Sequence, residues 1–292
     1  MQKIVIVAGP TASGKTKEAI RIAKERDGEI ISVDSRQVYR GLDIGTEKIS
    51  IEEMQGIPHH LIDIREANEP YSAGEFVQDA KRLIDDITFR GKLPILAGGT
   101  HFYFDALIKG LPEIPMDDEL RALLEEKSTE ELAREVEQKD PARFARLDPR
   151  NRRRLIRALE IIAARGRVPE RSAPAARSSA PDSLTTDIPS DSPYDIEWIV
   201  FNPSPEELRP RIDERLKQAL ANGLIDEVRR VREQVGDTRL SELGLEYRIV
   251  GEYLRGERSE ESIFPALSSR LWHYARRQKA WLRKLQTERI VQ

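Results

Sequence analysis

Residues 4–16, IVIVAGPTASGKT, constrain the fold more than any other stretch of the chain. Ile4 to Ala8 is a continuous apolar run of the kind shown by a strand buried on both faces. Lys15 to Arg26 then carries Ala19, Ile20, Ile22 and Ala23 at helical spacing. Between them, Gly9, Pro10, Thr11, Ala12, Ser13, Gly14, Lys15 and Thr16 satisfy G-x-x-x-x-G-K-[ST], the phosphate loop. In that pattern successive backbone N–H groups and a helix N-terminus surround anionic oxygens, and the lysine adds a point charge. A diphosphate or triphosphate is expected at residues 9–16, with the Thr16 hydroxyl as the candidate ligand for Mg²⁺.

A strand, a glycine turn and a helix set an α/β grammar, and the rest of the chain follows it. EIISVD ends a second apolar run at Asp34, and KLPILAGGT ends a third at Gly98, Gly99 and Thr100. Ser72 and Glu75 stand at capping-box spacing before a helix expected to reach about Phe89 and to close at Gly91. IEWIVFN reads as another buried strand, followed by a helix start at Ser204, Pro205 and Glu207. Strands alternating with helices predict a parallel sheet with its functional groups at the strands' carboxyl ends.

Between these blocks the texture changes. After Leu111 the periods are helical and no strand-like run occurs, which predicts an insertion made of helices. Val168 to Pro193 has hardly any large apolar residue and is expected to be a flexible loop. The expected architecture is α/β: a P-loop NTPase-like parallel sheet flanked by helices, with an inserted all-α domain. The expected division is 1–113 and 194–292 for the core, the latter with C-terminal basic helices, 114–167 for the insertion and 168–193 for the loop.

Composition excludes some chemistries. With no cysteine, a disulfide framework, a thiolate metal site and a cysteine nucleophile are all ruled out. No apolar run approaches the roughly 18 residues of a membrane span, and Met1 and Gln2 lead straight into the first strand. A cytoplasmic monomer without a membrane partner is expected. The net charge of −3 argues against nucleic acid only on average, because lysine and arginine cluster in two places. One cluster is Arg150, Arg152, Arg153, Arg154 and Arg157; the other is Arg270, Arg276, Arg277, Lys279, Arg283 and Lys284. Each alone reads as a solvated helix face, whereas both together beside a phosphate loop point to an RNA backbone. His59 and His60 are adjacent in an extended segment, face opposite ways and read as packing residues; Trp198, Trp272 and Trp281 lie in apolar stripes and read as core.

A nucleotidase with such a loop also shows an apolar strand ending in an acid that holds the metal. Here the only such acid is Asp34, while PILAGGT ends in glycines. In small-molecule kinases of this class an acid after the second strand faces the acceptor rather than the nucleotide metal, so Asp34 is expected on the acceptor side, as a base or an anchor, with a plain turn or cap as its alternative role. Pyrophosphate is then a candidate leaving group.

Seven segments in order, GPTASGKT, DSRQVYRGLDIGT, GIPHHLIDI, YSAGEFVQDA, GKLPILAGGTHFYFDAL, RRRLIRALEI and ARRQKAWLRK, together resemble the bacterial tRNA dimethylallyltransferases nearly end to end. The resemblance implies transfer of a dimethylallyl group from dimethylallyl diphosphate to the exocyclic amine of the adenosine 3′-adjacent to the anticodon, with Mg²⁺ and the tRNA anticodon stem-loop as partners. It implies that Thr11 to Thr16 bind the diphosphate and that Asp34, Ser35, Arg36 and Gln37 meet the adenosine. It further implies that Thr100, Arg121, Arg153, Arg154, Leu155, Ile156 and Arg157 contact tRNA, with Asp34, Lys15, Thr16 and Thr100 carrying the chemistry. Arg153 stands where the family usually has glutamine, and Arg36 and Gln37 replace small and apolar residues. Arg239 and Arg248 are both possible counterparts of the family's C-terminal diphosphate arginine. The rival readings are a small-molecule or nucleotide kinase, prenylation of free adenylate, and a non-catalytic RNA-binding module.

Overall fold

A computed structural model describes residues 1–111, 117–165 and 192–290, with side chains as far as Arg283 in the last helix. The expected loop 168–193, apart from its last two residues, the expected boundary at 113–114 and the Lys284 side chain lie outside the described residues. The chain divides into two compact units, Met1–Gly110 with Thr186–Gln292, and Leu111–Thr185.

The first segment of the larger unit runs β1 (Gln2–Ala8), α1 (Lys15–Glu25), β2 (Gly28–Val33), β3 (His59–His60), α2 (Ala73–Phe89), β4 (Leu93–Gly98) and α3 (His101–Lys109). The smaller unit contains α4 (Asp118–Glu126), α5 (Thr129–Lys139), α6 (Pro141–Phe144) and α7 (Arg152–Arg165). The chain returns to the larger unit as β5 (Tyr194–Val200), α8 (Pro205–Ala221), α9 (Leu224–Leu240), α10 (Leu245–Leu254) and α11 (Ile263–Ile290).

The strands lie parallel in the order β3-β2-β4-β1-β5. Sheet strands covered on both faces must be apolar throughout, and Ile4 to Val7 are fully buried. Alternation sends Ile4 and Ile6 towards the α2–α3 layer, with Phe76, Ile84 and Phe104, and Val5 and Val7 towards Ala19, Ile22 and Ala23 of α1. A third cluster gathers Leu208, Ile212, Leu216, Val228, Tyr247 and Leu267 from α8 to α11 around Val38 and Leu42. The Ser72–Glu75 and Ser204–Glu207 capping boxes both form, so α2 and α8 begin where their side chains satisfy the first free backbone N–H groups.

Residues expected to pack do so. His60 Nε2 lies 2.8 Å from the buried Glu29 carboxylate, and His59 Nδ1 lies 2.8 Å from the Ile57 carbonyl. Trp281 donates from Nε1 to the buried Asp105 at 3.0 Å, and Trp272 lies under the Arg209 guanidinium.

In the smaller unit, Ser128 and Glu131 box the start of α5, and Asp117 and Asp140 cap α4 and α6. Leu124, Leu132, Val136, Leu147, Leu155 and Leu159 form its core. Glu160, also buried, accepts hydrogen bonds from Arg121 at 3.2 Å and Arg157 at 2.9 Å, which ties α4 to α7.

Candidate active site

The phosphate loop leaves β1 at Ala8 and turns back on itself through two left-handed residues, Ala12 (φ 59°) and Gly14 (φ 88°), before α1 begins at Lys15. Gly14 is suited to that conformation, which side chains rarely adopt. Alternating handedness of this kind turns successive N–H groups into one concavity, an anion nest. Ser13 Oγ is buried there without a hydrogen-bond partner, and Thr16 presents an exposed hydroxyl from the first turn of α1. Lys15 Nζ rests against the Pro10 carbonyl at 3.3 Å. Burial lowers the lysine's pKa below its ordinary value; Asp34 opposes that shift and Arg215 adds to it.

The acceptor side is a tight turn just past β2. Asp34 Oδ1 accepts from the backbone N–H groups of Arg36 at 2.8 Å and Gln37 at 3.2 Å. Asp34 therefore builds the turn with one oxygen, which leaves Oδ2 for another donor. Thr100 Oγ1 accepts from the Ser35 N–H at 3.2 Å, so the residue after the paired glycines fixes the position of the Asp34 turn. Gln37 donates from Nε2 to the carbonyls of Thr46 and Glu47.

The glycine pair explains how the phosphate loop and this turn come together. A Cβ at Gly98 would stand 2.1 Å from the Val33 carbonyl oxygen, and one at Gly99 would meet Gln278 at 2.6 Å and the Gly9 carbonyl at 3.2 Å. Any side chain here would push the acceptor turn and the loop apart. Gln278, buried on α11, locks the arrangement: it accepts from the Thr11 N–H at 3.2 Å and donates to the Gly99 carbonyl at 2.8 Å.

Four contributors escape a reading by motif. Arg215 of α8 donates from Nη1 to the Thr11 hydroxyl and pairs through Nε with Glu47. Glu246, at the start of α10, carries a carboxyl raised above its ordinary pKa by burial, with Arg215 and Arg36 pulling it down. Tyr274 of α11 is pushed up to about 12 by burial, then by Asp34. Gln278 is the fourth. Two of them had a signal, since Arg215 adjoins the Ile212–Leu216 inner stripe and Gln278 is a polar residue in the stripe that holds Tyr274 and Trp281. Arg239 and Arg248 turn elsewhere: Arg239 to the Ala67 and Glu69 carbonyls, Arg248 to the Ser241 carbonyl.

The donor set suits an anion better than a naked cation. Among the described residues no group of three or more histidine, aspartate or glutamate side chains could hold a metal. A divalent metal bound at such a loop takes most of its oxygens from phosphate and water, and the exposed Thr16 is the protein ligand on offer.

The residues expected at RNA in the smaller unit divide. Leu155 and Ile156 are 0 % and 3 % exposed and belong to that unit's core. Arg121 and Arg157 are half-exposed and share Glu160. Arg152, at the head of the run, donates to the Lys127 and Glu125 carbonyls, while Arg153 is exposed and Arg154 half-buried.

Residues 37–285 match the family model described as IPP transferase. A tRNA dimethylallyltransferase of Thermomicrobium roseum is 41% identical over 289 residues, covering 97% of this chain and 84% of that protein. One from Anoxybacillus flavithermus is 39% identical over 287 residues, covering 97% and 88%. Among solved structures, the tRNA isopentenylpyrophosphate transferase of Bacillus halodurans superposes with TM-score 0.68 at 36% identity, covering 97% of this chain and 87% of its own. A eukaryotic dimethylallyltransferase, described as acting on tRNA, superposes with TM-score 0.77 at 27% identity, covering 97% and 70%. Extended over nearly the whole chain, these likenesses join the phosphate loop and the acceptor turn to one lineage: the chain belongs to the IPP transferase family.

Proposed function

We propose that the protein transfers a dimethylallyl group from dimethylallyl diphosphate to N6 of the adenosine 3′-adjacent to the anticodon of tRNA and releases pyrophosphate. The observation that carries this reading is the Gly98–Gly99 approach between an anion cradle and the Asp34 turn. The strand beside β1 ends there in glycines rather than in an acid. The cradle then serves a departing diphosphate, and the turn serves the incoming amine.

As the allylic C–O bond breaks and the C–N bond forms, negative charge gathers on the bridging oxygen. The loop N–H groups, Lys15 and Arg215 face that charge, and preorganised donors of this kind are worth about 3–4 kcal/mol each. Bound with the diphosphate near Thr16, Mg²⁺ would neutralise part of its charge. Asp34 Oδ2 accepts a hydrogen bond from the adenine amine, then takes its proton and passes it to water. The adenosine must leave its stack to reach the turn, at a cost of a few kcal/mol that contacts from Ser35, Arg36, Gln37 and Thr100 offset. Arg121, Arg153, Arg154 and Arg157 supply backbone contacts to the anticodon stem-loop. The protein would work as a monomer in the cytoplasm, where tRNA is found.

The test supplies labelled dimethylallyl diphosphate with tRNA, with AMP, or with ATP and small acceptors. Label on one tRNA adenosine is the expected result. Label on AMP alone, or phosphoryl transfer from ATP, would overturn the reading.

A further inference from the structure

Residues 43–47 join the two sides of the site. Glu227, buried on α9, accepts from the backbone N–H groups of Asp43, Ile44 and Gly45 at 3.0, 2.8 and 2.9 Å and from the Tyr247 hydroxyl at 2.7 Å. A carboxylate satisfied four times in this way makes the segment a fixed platform. At its end Glu47 adopts a left-handed backbone (φ 49°), and Gln37 holds the Thr46 and Glu47 carbonyls at 3.2 and 3.1 Å. The Glu47 carboxylate grips Arg215 by Nε, and Arg215 reaches Thr11 by Nη1.

An arginine side chain is long and loses much rotamer freedom when ordered, but its planar fork is fully oriented once one edge is held. With Nε on Glu47, Nη1 of Arg215 reaches the Thr11 hydroxyl of the phosphate loop. The Arg215 side chain is 16 % exposed and that of Glu47 42 %. The guanidinium is therefore enclosed, while the carboxylate that steers it remains open enough to be replaced without opening a core.

We propose that Glu47 is a positioning residue for the diphosphate: it holds Arg215 aimed at the phosphate loop, and the Gln37 bonds to its backbone make the donor grip depend on a residue of the acceptor turn. The proposal rests on the diphosphate reading above, but its readout is binding and needs no prenyl transfer.

Calorimetric titration of the full chain with Mg²⁺ and inorganic pyrophosphate tests it. Glu47→Ala frees Arg215 and should weaken binding about tenfold, the loss of roughly one charge-assisted hydrogen bond's orientation. Glu47→Gln keeps an acceptor for Nε and should stay within about threefold of wild type. Gln37→Leu should also weaken pyrophosphate, and the Glu47→Ala, Gln37→Leu double variant should lose less than the product of the two single losses, because both act through the same side chain. Glu47→Ala binding as well as or better than wild type would overturn the proposal, as would Glu47→Gln falling as far as Glu47→Ala, or strictly multiplicative losses. Wild-type protein that binds pyrophosphate yet prenylates no tRNA would contradict the function proposed above and leave this inference standing.

Discussion

The phosphate loop and the arginine run of α7 both announce themselves in sequence, yet they convert into structure by different rules. The loop works through backbone N–H groups, so eight consecutive residues suffice to specify it: Ala12 and Gly14 turn the chain, and α1 supplies the dipole. The arginine run works through side chains, whose partners are decided elsewhere. Arg152 is occupied by carbonyls near the end of α4, Arg157 shares the buried Glu160 with Arg121, and Leu155 and Ile156 belong to the core. A cluster of like charge thus also serves the fold, because some members hold up the helix that presents the others.

If that contrast is right, variants should separate sharply by region. The largest effect is expected at the acceptor turn, where Asp34→Asn preserves the Oδ1 acceptor for Arg36 and Gln37 but removes the base. Transfer should fall by about 10²–10⁴-fold in single-turnover assays while pyrophosphate affinity stays within about twofold. Near-wild-type transfer would reduce Asp34 to a turn-former.

Lys15→Ala should cost about 10²–10³-fold in turnover and weaken the donor as well, which steady-state kinetics with varied dimethylallyl diphosphate would reveal. The same lysine predicts a pH profile. Its pKa is lowered by burial, so it is charged below that value and loses its grip above it. The donor's kcat/KM should therefore decline on the alkaline side with a midpoint below the ordinary lysine value of 10.5, and Lys15→Arg should remove that limb.

In the smaller unit the effects should be on folding and RNA. Glu160→Ala removes the shared partner of two arginines and should destabilise that unit by about 2 kcal/mol in urea unfolding, with pyrophosphate affinity unchanged. Arg153→Ala is the mildest: tRNA affinity should drop a few-fold and the slope of log K against log salt should lessen by about one. A large loss of pyrophosphate binding in either variant would break the division between the two regions.

Much of the fold was legible because it rests on local rules. The apolar run at Ile4 to Ala8 and the caps at Ser72 and Ser204 each act within a few residues of themselves. Half the site was legible for the same reason. What stayed hidden is non-local: Arg215 and Gln278 meet Thr11 across 204 and 267 residues, and Glu227 meets the 43–45 backbone across more than 180. Glu227 and Glu160 also sit among apolar neighbours on their helices, where a charged residue pays its desolvation only if several donors converge on it. Sequence alone does not say which donors those are. The Asp34 turn shows both layers at once, since its Asx geometry is local and its placement beside Thr100 is not.

The central claim is that the loop at residues 9–16 grips a leaving group and not a nucleotide. A competition titration addresses it directly: wild-type protein with Mg²⁺ is saturated with dimethylallyl diphosphate and then challenged with ATP or with pyrophosphate. Displacement by pyrophosphate, with ATP ineffective at equal concentration, is the predicted result. Displacement by ATP, with the prenyl donor bound weakly or not at all, would contradict the account.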